Sequence, residues 1–331
     1  MDWNQGFEAS FYMARVNAIT WHDTGHINIT GASITKSTDG LRESANVDCR
    51  NFDYGIEQLV RLWAIIRQNG AVERHALFTG YTSCPKQHYN GMIVETPLEC
   101  YSVLKAADDV LLPRGWYAGA GRNGAELVGE LLSVNNTPVT IQGESPVLMY
   151  HIVAESGETN RTMADKILQA IGWRLRIAGD GTVTVCELPT DVSARFGQDY
   201  DVIEPEFDVE QDLFSCPNIF RAISNGMSAV AVDDSDGQLS TISRGREVWA
   251  EETSCSLNDS ETLAEYAVRR LRELQAVTTS VPYTRRYHPD VVPGDMVDLS
   301  YPGHGLTGTY TVQEQKITVG NGIPVEESVY R

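Results

Sequence analysis

Apolar and polar residues alternate through much of the first hundred positions, a period of two that predicts strands. In residues 11–19, Tyr12, Ala14, Val16 and Ala18 share one face, and residues 26–30 and 76–81 read the same way. Residues 57–66 carry a nearly continuous apolar run, Leu59-Val60-Arg61-Leu62-Trp63-Ala64-Ile65-Ile66. Such a run suits a buried strand or a short helix, since periodicity alone does not separate them.

The pattern changes at Thr96-Pro97-Leu98-Glu99, which has the form of a capping box with proline at the first helical position. It predicts a helix from there to about Leu112, before Pro113. A second helix start follows at Asn123-Gly124-Ala125-Glu126. A third lies near Thr159-Asn160, with Met163, Ile167, Leu168 and Ile171 on one face. Trp173-Arg174-Leu175-Arg176-Ile177 and Thr182-Val183-Thr184-Val185 alternate on either side of Gly179-Asp180-Gly181, which predicts a hairpin. Residues 187–193 read as a connector. Beyond it strands return, with turns at Asp236-Gly237 and Pro293-Gly294-Asp295. One long helix, residues 260–275, interrupts them. It opens on a capping box at Asn258-Asp259-Ser260-Glu261, has Leu263, Ala267, Leu271 and Leu274 at helical spacing, and carries Arg269, Arg270 and Arg272 in its later turns. The last forty residues alternate again, through Val297 and Leu299, Tyr310 and Val312, Ile317 and Val319. The fold class expected is therefore α+β and β-rich. Its parts are a β domain over 1–96, a small α+β insertion over 97–190, and a second β domain over 191–331.

A chain of 331 residues fits two or three domains, and 42% hydrophobic with 21% charged residues places it among globular proteins. No apolar run reaches the ~18 residues of a membrane helix. Met1-Asp2-Trp3-Asn4-Gln5 has no leader pattern, so assembly in the bacterial cytoplasm is expected. The formal net charge is -19, with 45 acids against 26 bases. That balance opposes binding to a phosphate backbone, and it would repel a polyanion passing close by. Cysteines at 49, 84, 100, 186, 216 and 255 form no C-x-x-C pair and read as reduced, mostly buried small hydrophobes.

No motif calls for catalysis. Gly303-His304-Gly305-Leu306-Thr307-Gly308 fits G-x-G-x-x-G, but a strand follows it where a dinucleotide site needs a helix, so it reads as a hairpin turn. His22, Asp23 and His26 form an H-D-x-x-H grouping without a third placed ligand, which reads as a surface turn rather than a metal site. There is no G-x-S-x-G elbow, and Ser145 sits in another context. The pairs Asp108-Asp109 and Asp233-Asp234 read as solvated acids, because adjacent side chains diverge. No catalytic, cofactor or metal residue is assigned.

Several segments, in a fixed order, resemble the phage baseplate or tail-tip hub proteins, including the late control protein D group and the hubs of Gram-positive prophages. They are Leu77-Phe78-Thr79-Gly80, Thr96 to Leu104, the helix start at Gly157-Glu158-Thr159-Asn160-Arg161-Thr162, and Ile171-Gly172-Trp173. Pro217-Asn218-Ile219-Phe220, Ser243 to Val248, the helix at 260–275 and Tyr283 to Val297 complete the series. The resemblance implies two tail-tube-like β-barrel domains with the insertion between them. It further implies a homotrimer that docks its tube-like domains on a hexameric tube ring. The partners implied are the tail tube or distal tail protein, a central spike or tip protein and a tape measure protein, at the tail tip of a virion. No sequence-specific nucleic acid, membrane insertion or C-terminal peptidase or lysozyme-like extension is implied. The competing readings are a distal-tail adaptor, a receptor-binding component using aromatics such as Trp116 and Tyr117, and a cell-wall or glycan hydrolase.

Overall fold

The computed structural model describes residues 1–3, 5–50, 52, 57–83, 87–197, 210–211, 213–224, 226–253, 255, 261–275, 279–320 and 322–331. The chain forms two compact units, Met1–Phe207 with Pro282–Val329, and Asp208–Val281 with Tyr330–Arg331.

Unit 1 begins with β1 (Glu8–Val16), β2 (Asp23–Ile27), β3 (Ile29–Ser37), β4 (Glu43–Arg50), β5 (Leu59–Gln68), β6 (Ala71–Thr82), β7 (His88–Asn90) and β8 (Ile93–Ser102). The ambiguous run at 57–66 is β5. It lies between β1 and β6 and buries Leu62, Ala64 and Ile66, while Arg61 is nearly buried on the other face. Burial on both faces removes the alternation that marks a half-exposed strand. On β1 it is Met13 that joins the core, with Phe11 and Ala9 packed against it, while Tyr12 stacks outside on His26. The strand stops at Val16 because the Asn17 side chain accepts from the amides of Ile19 and Thr20, turning the chain.

The predicted helix from Thr96 to Leu112 is not formed. Residues 96–102 continue β8, paired with β4 from Arg50↔Glu95 to Ser44↔Tyr101. Leu98 and Cys100 are buried in the sheet core, a gain that an isolated helix start cannot match. Pro97 is tolerated because on the other side β7 pairs only to Glu95 and β6 only from Cys100, which leaves its position a local edge. Only α1 (Lys105–Asp108) is helical in this stretch.

The remainder of the insertion follows its local signals. β9 (Tyr117–Ala118) leads to α2 (Gly124–Leu132), where the Asn123 side chain accepts from the Glu126 amide. β10 (Val139–Gln142) and β11 (Ile152–Val153) precede α3 (Asn160–Ile171), whose Thr159–Thr162 capping box and left-handed Gly172 fix both ends. β12 (Trp173–Ile177) and β13 (Val183–Glu187) form the hairpin, and β10 adds parallel to β13. Met163, Ile167 and Leu168 of α3 pack with Leu127, Val128 and Leu131 of α2 against Leu175, Val183 and Val185. Each such fully buried side chain contributes about 1.5–3 kcal/mol.

The connector is shorter than expected, since β14 (Val192–Gly197) starts soon after β13 ends. Unit 2 contains β15 (Glu210–Gln211), β16 (Ile219–Ser224), β17 (Met227–Val232), α4 (Thr241–Arg244), β18 (Trp249–Thr253) and α5 (Leu263–Gln275). β16 lies between antiparallel β17 and parallel β18, and α5 covers one face through Tyr266, Ala267 and Leu271 against Phe220, Ala222 and Ala231. Asn258, Asp259 and Ser260 of the expected cap lie outside the described residues. Among those described, Thr262 and Glu265 form a reciprocal cap. Arg269 and Arg270 pair with Glu261, Glu273 and Glu252, and of the three arginines only Arg272 reaches the last turn.

β19 (Thr279–Arg286) leads back to unit 1, followed by β20 (Met296–Tyr301), β21 (Leu306–Thr318) and β22 (Pro324–Tyr330). β21 is long enough to pair β20 from Leu306 to Thr311 and β3 from Glu314 to Thr318. Strands from both ends of the chain therefore run on into one sheet, and Ile317, Ile323 and Val325 share a core with Ile34 and Val47. In place of two closed barrels, the described strands follow an open path. The glycine-rich segment at 303–308 divides between the β20–β21 turn, which closes at Gly305 with φ +71°, and the first residues of β21, Leu306 to Gly308.

Candidate functional site

The insertion is fastened to the sheet of unit 1 by its hairpin turn. Thr79 Oγ1 donates to the Gly179 carbonyl at 2.8 Å, and Arg61 Nη2 donates to the Asp180 carbonyl at 2.9 Å. Arg61 also donates to Thr79 Oγ1 and to Asp23 Oδ1, both at 3.0 Å. Two further ties are Arg42 with Asp165 at 2.9 Å and Arg174 with the buried Asp295 at 2.6 Å. Gly179 packs so close to β6 that a Cβ there would lie 1.9 Å from the Ala76 carbonyl oxygen.

Between this turn and the sheet lies a cavity of about 450 Å³. Lys36 on β3, Trp63 on β5 and His75 on β6 form one side. Gln142 on β10, Arg176 on β12 and Thr184 on β13 form another, with Gln315 and Ile317 of β21 behind. Lys36 pairs with Glu43 at 2.7 Å, and burial drives the Glu43 carboxyl above its ordinary value although Lys36 opposes this. Gln315 links this lining to a fully buried ion pair of Arg285 and Glu327, in which Glu327 accepts from Gln315 Nε2 and the Tyr283 hydroxyl. Burial works against the Arg285 charge, but Glu327 outweighs it and holds the guanidinium above its usual range; burial and then Glu327 raise Tyr283 well above 10.0.

The residues weighed from the sequence are dispersed. Asp23 is bound by Arg61, by Arg74 at 2.6 Å and by Trp63 Nε1 at 2.9 Å, and His26 stacks on Tyr12. Among the described residues no group of three His, Cys, Asp or Glu side chains could hold a metal ion. Ser145 Oγ accepts from the Ala125 amide, one of the unpaired donors at the start of α2. Asp108 pairs with Arg161 at 2.7 Å and Asp109 with Lys105, while Asp233 accepts from Ser235 and Gln275 in unit 2. Tyr117 is 57% exposed beside Val153, and Trp116 packs against the insertion core. Cys49, Cys100, Cys186, Cys216 and Cys255 are free thiols, and Cys84 lies outside the described residues. No helix among the described residues is long and apolar enough to cross a membrane.

The cavity residues were not singled out by sequence. The one local signal was in the hairpin, where alternation puts Arg174 and Arg176 opposite the buried Leu175 and Ile177. Lys36, Trp63, Gln142 and Gln315 are brought together only by the long-range pairing of β3 with β21 and by the docking of the insertion.

The fold is similar to those of solved phage tail proteins. The tail protein from Neisseria meningitidis MC58 superposes with a TM-score of 0.69 at 15% identity, over 99% of this chain and 97% of that one. The 43 kDa tail protein of prophage MuSo2 from Shewanella oneidensis gives 0.68 at 12% identity, over 97% and 96%. Prophage tail protein gp18 from Listeria monocytogenes EGD-e gives 0.55 at 12%, over 97% and 94%. At these identities the likeness is one of fold. No protein-family model and no curated protein sequence matches the chain.

Proposed function

We propose that this chain is a non-catalytic structural component of a phage-type tail tip: a hub of three identical copies joining a hexameric tail tube to a central spike. The observation that carries the reading is the pairing of Glu314–Thr318 with Ser33–Ser37. It sets strands of the first hundred residues beside strands of the last fifty in one continuous sheet, and we take these as two tube-type halves. Three such chains offer six halves, so rotation and copy number match a six-fold ring. The tail folds of the similar structures support this place in a virion, with the tube or distal tail protein, the spike and the tape measure protein as partners. The net charge of -19 supports a channel wall that lets a polyanion slide past. Native mass spectrometry of the full chain tests the reading. A trimer that caps rings of tube protein is expected. A hexamer, the stoichiometry of a distal-tail adaptor, or a monomer that never engages tube rings would sink it.

A further inference from the structure

We infer that the cavity of unit 1 is a carbohydrate site that takes a neutral saccharide of about two sugar rings. Its volume of about 450 Å³ falls in the range of small-molecule sites, roughly 300–1,000 Å³. Its chemistry separates the ligand classes. The charges on and just behind the wall balance, Lys36, Arg174 and Arg176 against Glu43, Asp295 and Asp180: Lys36 lies 2.7 Å from Glu43, and Arg174 and Arg176 lie 2.6 and 3.7 Å from Asp295. An anion entering would meet no net positive charge, and the chain's net charge of -19 repels it from a distance. A cation would meet the single carboxylate of Asp180 on a wall that also carries Lys36 and Arg176.

What the wall does keep is hydrogen-bonding capacity of both kinds. Lys36 uses one of its three donors, on Glu43. Arg176 gives one hydrogen bond, to the Asp290 carbonyl at 3.0 Å, and has donors to spare. The Gln142 amide has no hydrogen-bond partner among the described residues, and one oxygen of Asp180 remains after the other accepts from the Thr182 amide. Alternating donors and acceptors suit hydroxyl groups, which give and take at each carbon. Beside them stand Trp63, Tyr287 and Ile317, an apolar wall suited to the C–H face of a sugar ring. Most of these side chains project from strands, and the Gly179 contact with β6 fixes the turn that closes one end, so the site is formed before a ligand arrives. The site does not depend on the copy number of the assembly, so its failure would leave the hub reading untouched.

Saturation-transfer NMR on the full chain tests the inference, with lactose, maltose, cellobiose and chitobiose as probes and inorganic phosphate as the anion control. At least one disaccharide is expected to receive transfer at concentrations up to about 10 mM, the regime of weak sites, and phosphate to show no binding by its phosphorus linewidth. Gln142→Ala and Arg176→Gln should each weaken that binding about three- to tenfold, the loss of one hydrogen bond, without changing the melting temperature. Gln142 is exposed on β10, so its variant stands as the decisive one if the Arg176 variant loses fold. No transfer to any disaccharide, or transfer unchanged in Gln142→Ala, would overturn the assignment, as would phosphate binding in place of sugar.

Discussion

Replacing Gly179 with alanine puts a methyl group where β6 already has backbone. The new Cβ would sit 1.9 Å from the Ala76 carbonyl oxygen, 2.5 Å from the Ala76 carbonyl carbon and 3.1 Å from the Leu77 carbonyl carbon. None of these is the mobile end of a side chain, so the turn must retreat by roughly 1 Å or more. Retreat stretches the Thr79–Gly179 hydrogen bond at 2.8 Å and the Arg61–Asp180 hydrogen bond at 2.9 Å. The first is neutral, at about 1 kcal/mol, and the second comes from a charged donor, at about 1.5–3 kcal/mol. Arg61 keeps Asp23, so its charge is not orphaned. A destabilisation of about 2–4 kcal/mol follows, confined to the contact between the hairpin and the sheet. Because the chain has two units, a single melting curve is a poor reporter, and hydrogen exchange is the assay. Amides of residues 76–80 and 178–183 should exchange faster by about two orders of magnitude, while those of α5 in unit 2 should not change. Gly172→Ala is the control: it meets no atom within 4 Å and carries only the cost of φ +66°, about 1 kcal/mol. Exchange in Gly179→Ala equal to wild type at Leu77–Thr79 would refute the packing account.

The remaining predictions address the buried polar groups and caps. Arg285→Met leaves Glu327 buried without its cation and should cost about 3–5 kcal/mol by denaturant titration, whereas Arg285→Met with Glu327→Leu should recover most of it. Thr159→Ala removes the arm of the α3 capping box in which the Thr159 hydroxyl accepts from the Thr162 amide, leaves the Thr159 amide on Thr162 Oγ1, and should cost about 1 kcal/mol, read as faster exchange in the first turn of that helix. Burial, and then Arg285, lower the His288 pKa below 6.5; the neutral ring is thus favoured by folding, and this stability is present above pH 6.5 and lost as pH falls through the depressed value. His288→Gln should flatten stability against pH across that window. Burial pushes the Cys49 and Cys100 thiols up to about 12, so neither should react with a thiol reagent at pH 8 until the protein is unfolded.

How far the fold could be read locally depended on whether each element's hydrogen bonds close nearby. Helices α2 and α3 and the β12–β13 hairpin satisfy their own ends within a few residues, through Asn123, through Thr159 and Thr162, and through the turn at 178–182. Their sequence signals were sufficient for that reason. Thr96-Pro97-Leu98-Glu99 carries the same kind of signal and forms a strand, because β4 supplies a ladder partner about fifty residues upstream. A capping box contributes about 1 kcal/mol, and burying Leu98 and Cys100 outweighs it. The helix at 263–275 was placed correctly by its apolar spacing even though the cap among the described residues is Thr262 with Glu265.

The cavity fails to appear in the sequence for a related reason. Lys36 and Gln315 are partners across β3 and β21, a register fixed by which faces of Ile34 and Ile317 the core accepts. Arg176 and Thr184 reach the same space only because Gly179 lets the turn lie against Ala76. Each contributing segment, taken alone, is an ordinary strand that carries polar residues among its apolar ones. The combination of compensated charge and unused hydrogen-bonding capacity exists only after two long-range events, the β3–β21 pairing and the docking of the insertion. That dependence has a consequence for mutants: Gly179→Ala, which opens the docked turn without touching any hydrogen-bonding side chain on the wall, should weaken disaccharide binding together with hydrogen-exchange protection. Gln142→Ala should weaken binding alone. A loss of protection in Gly179→Ala with binding intact would separate the cavity from the docking that is held here to build it.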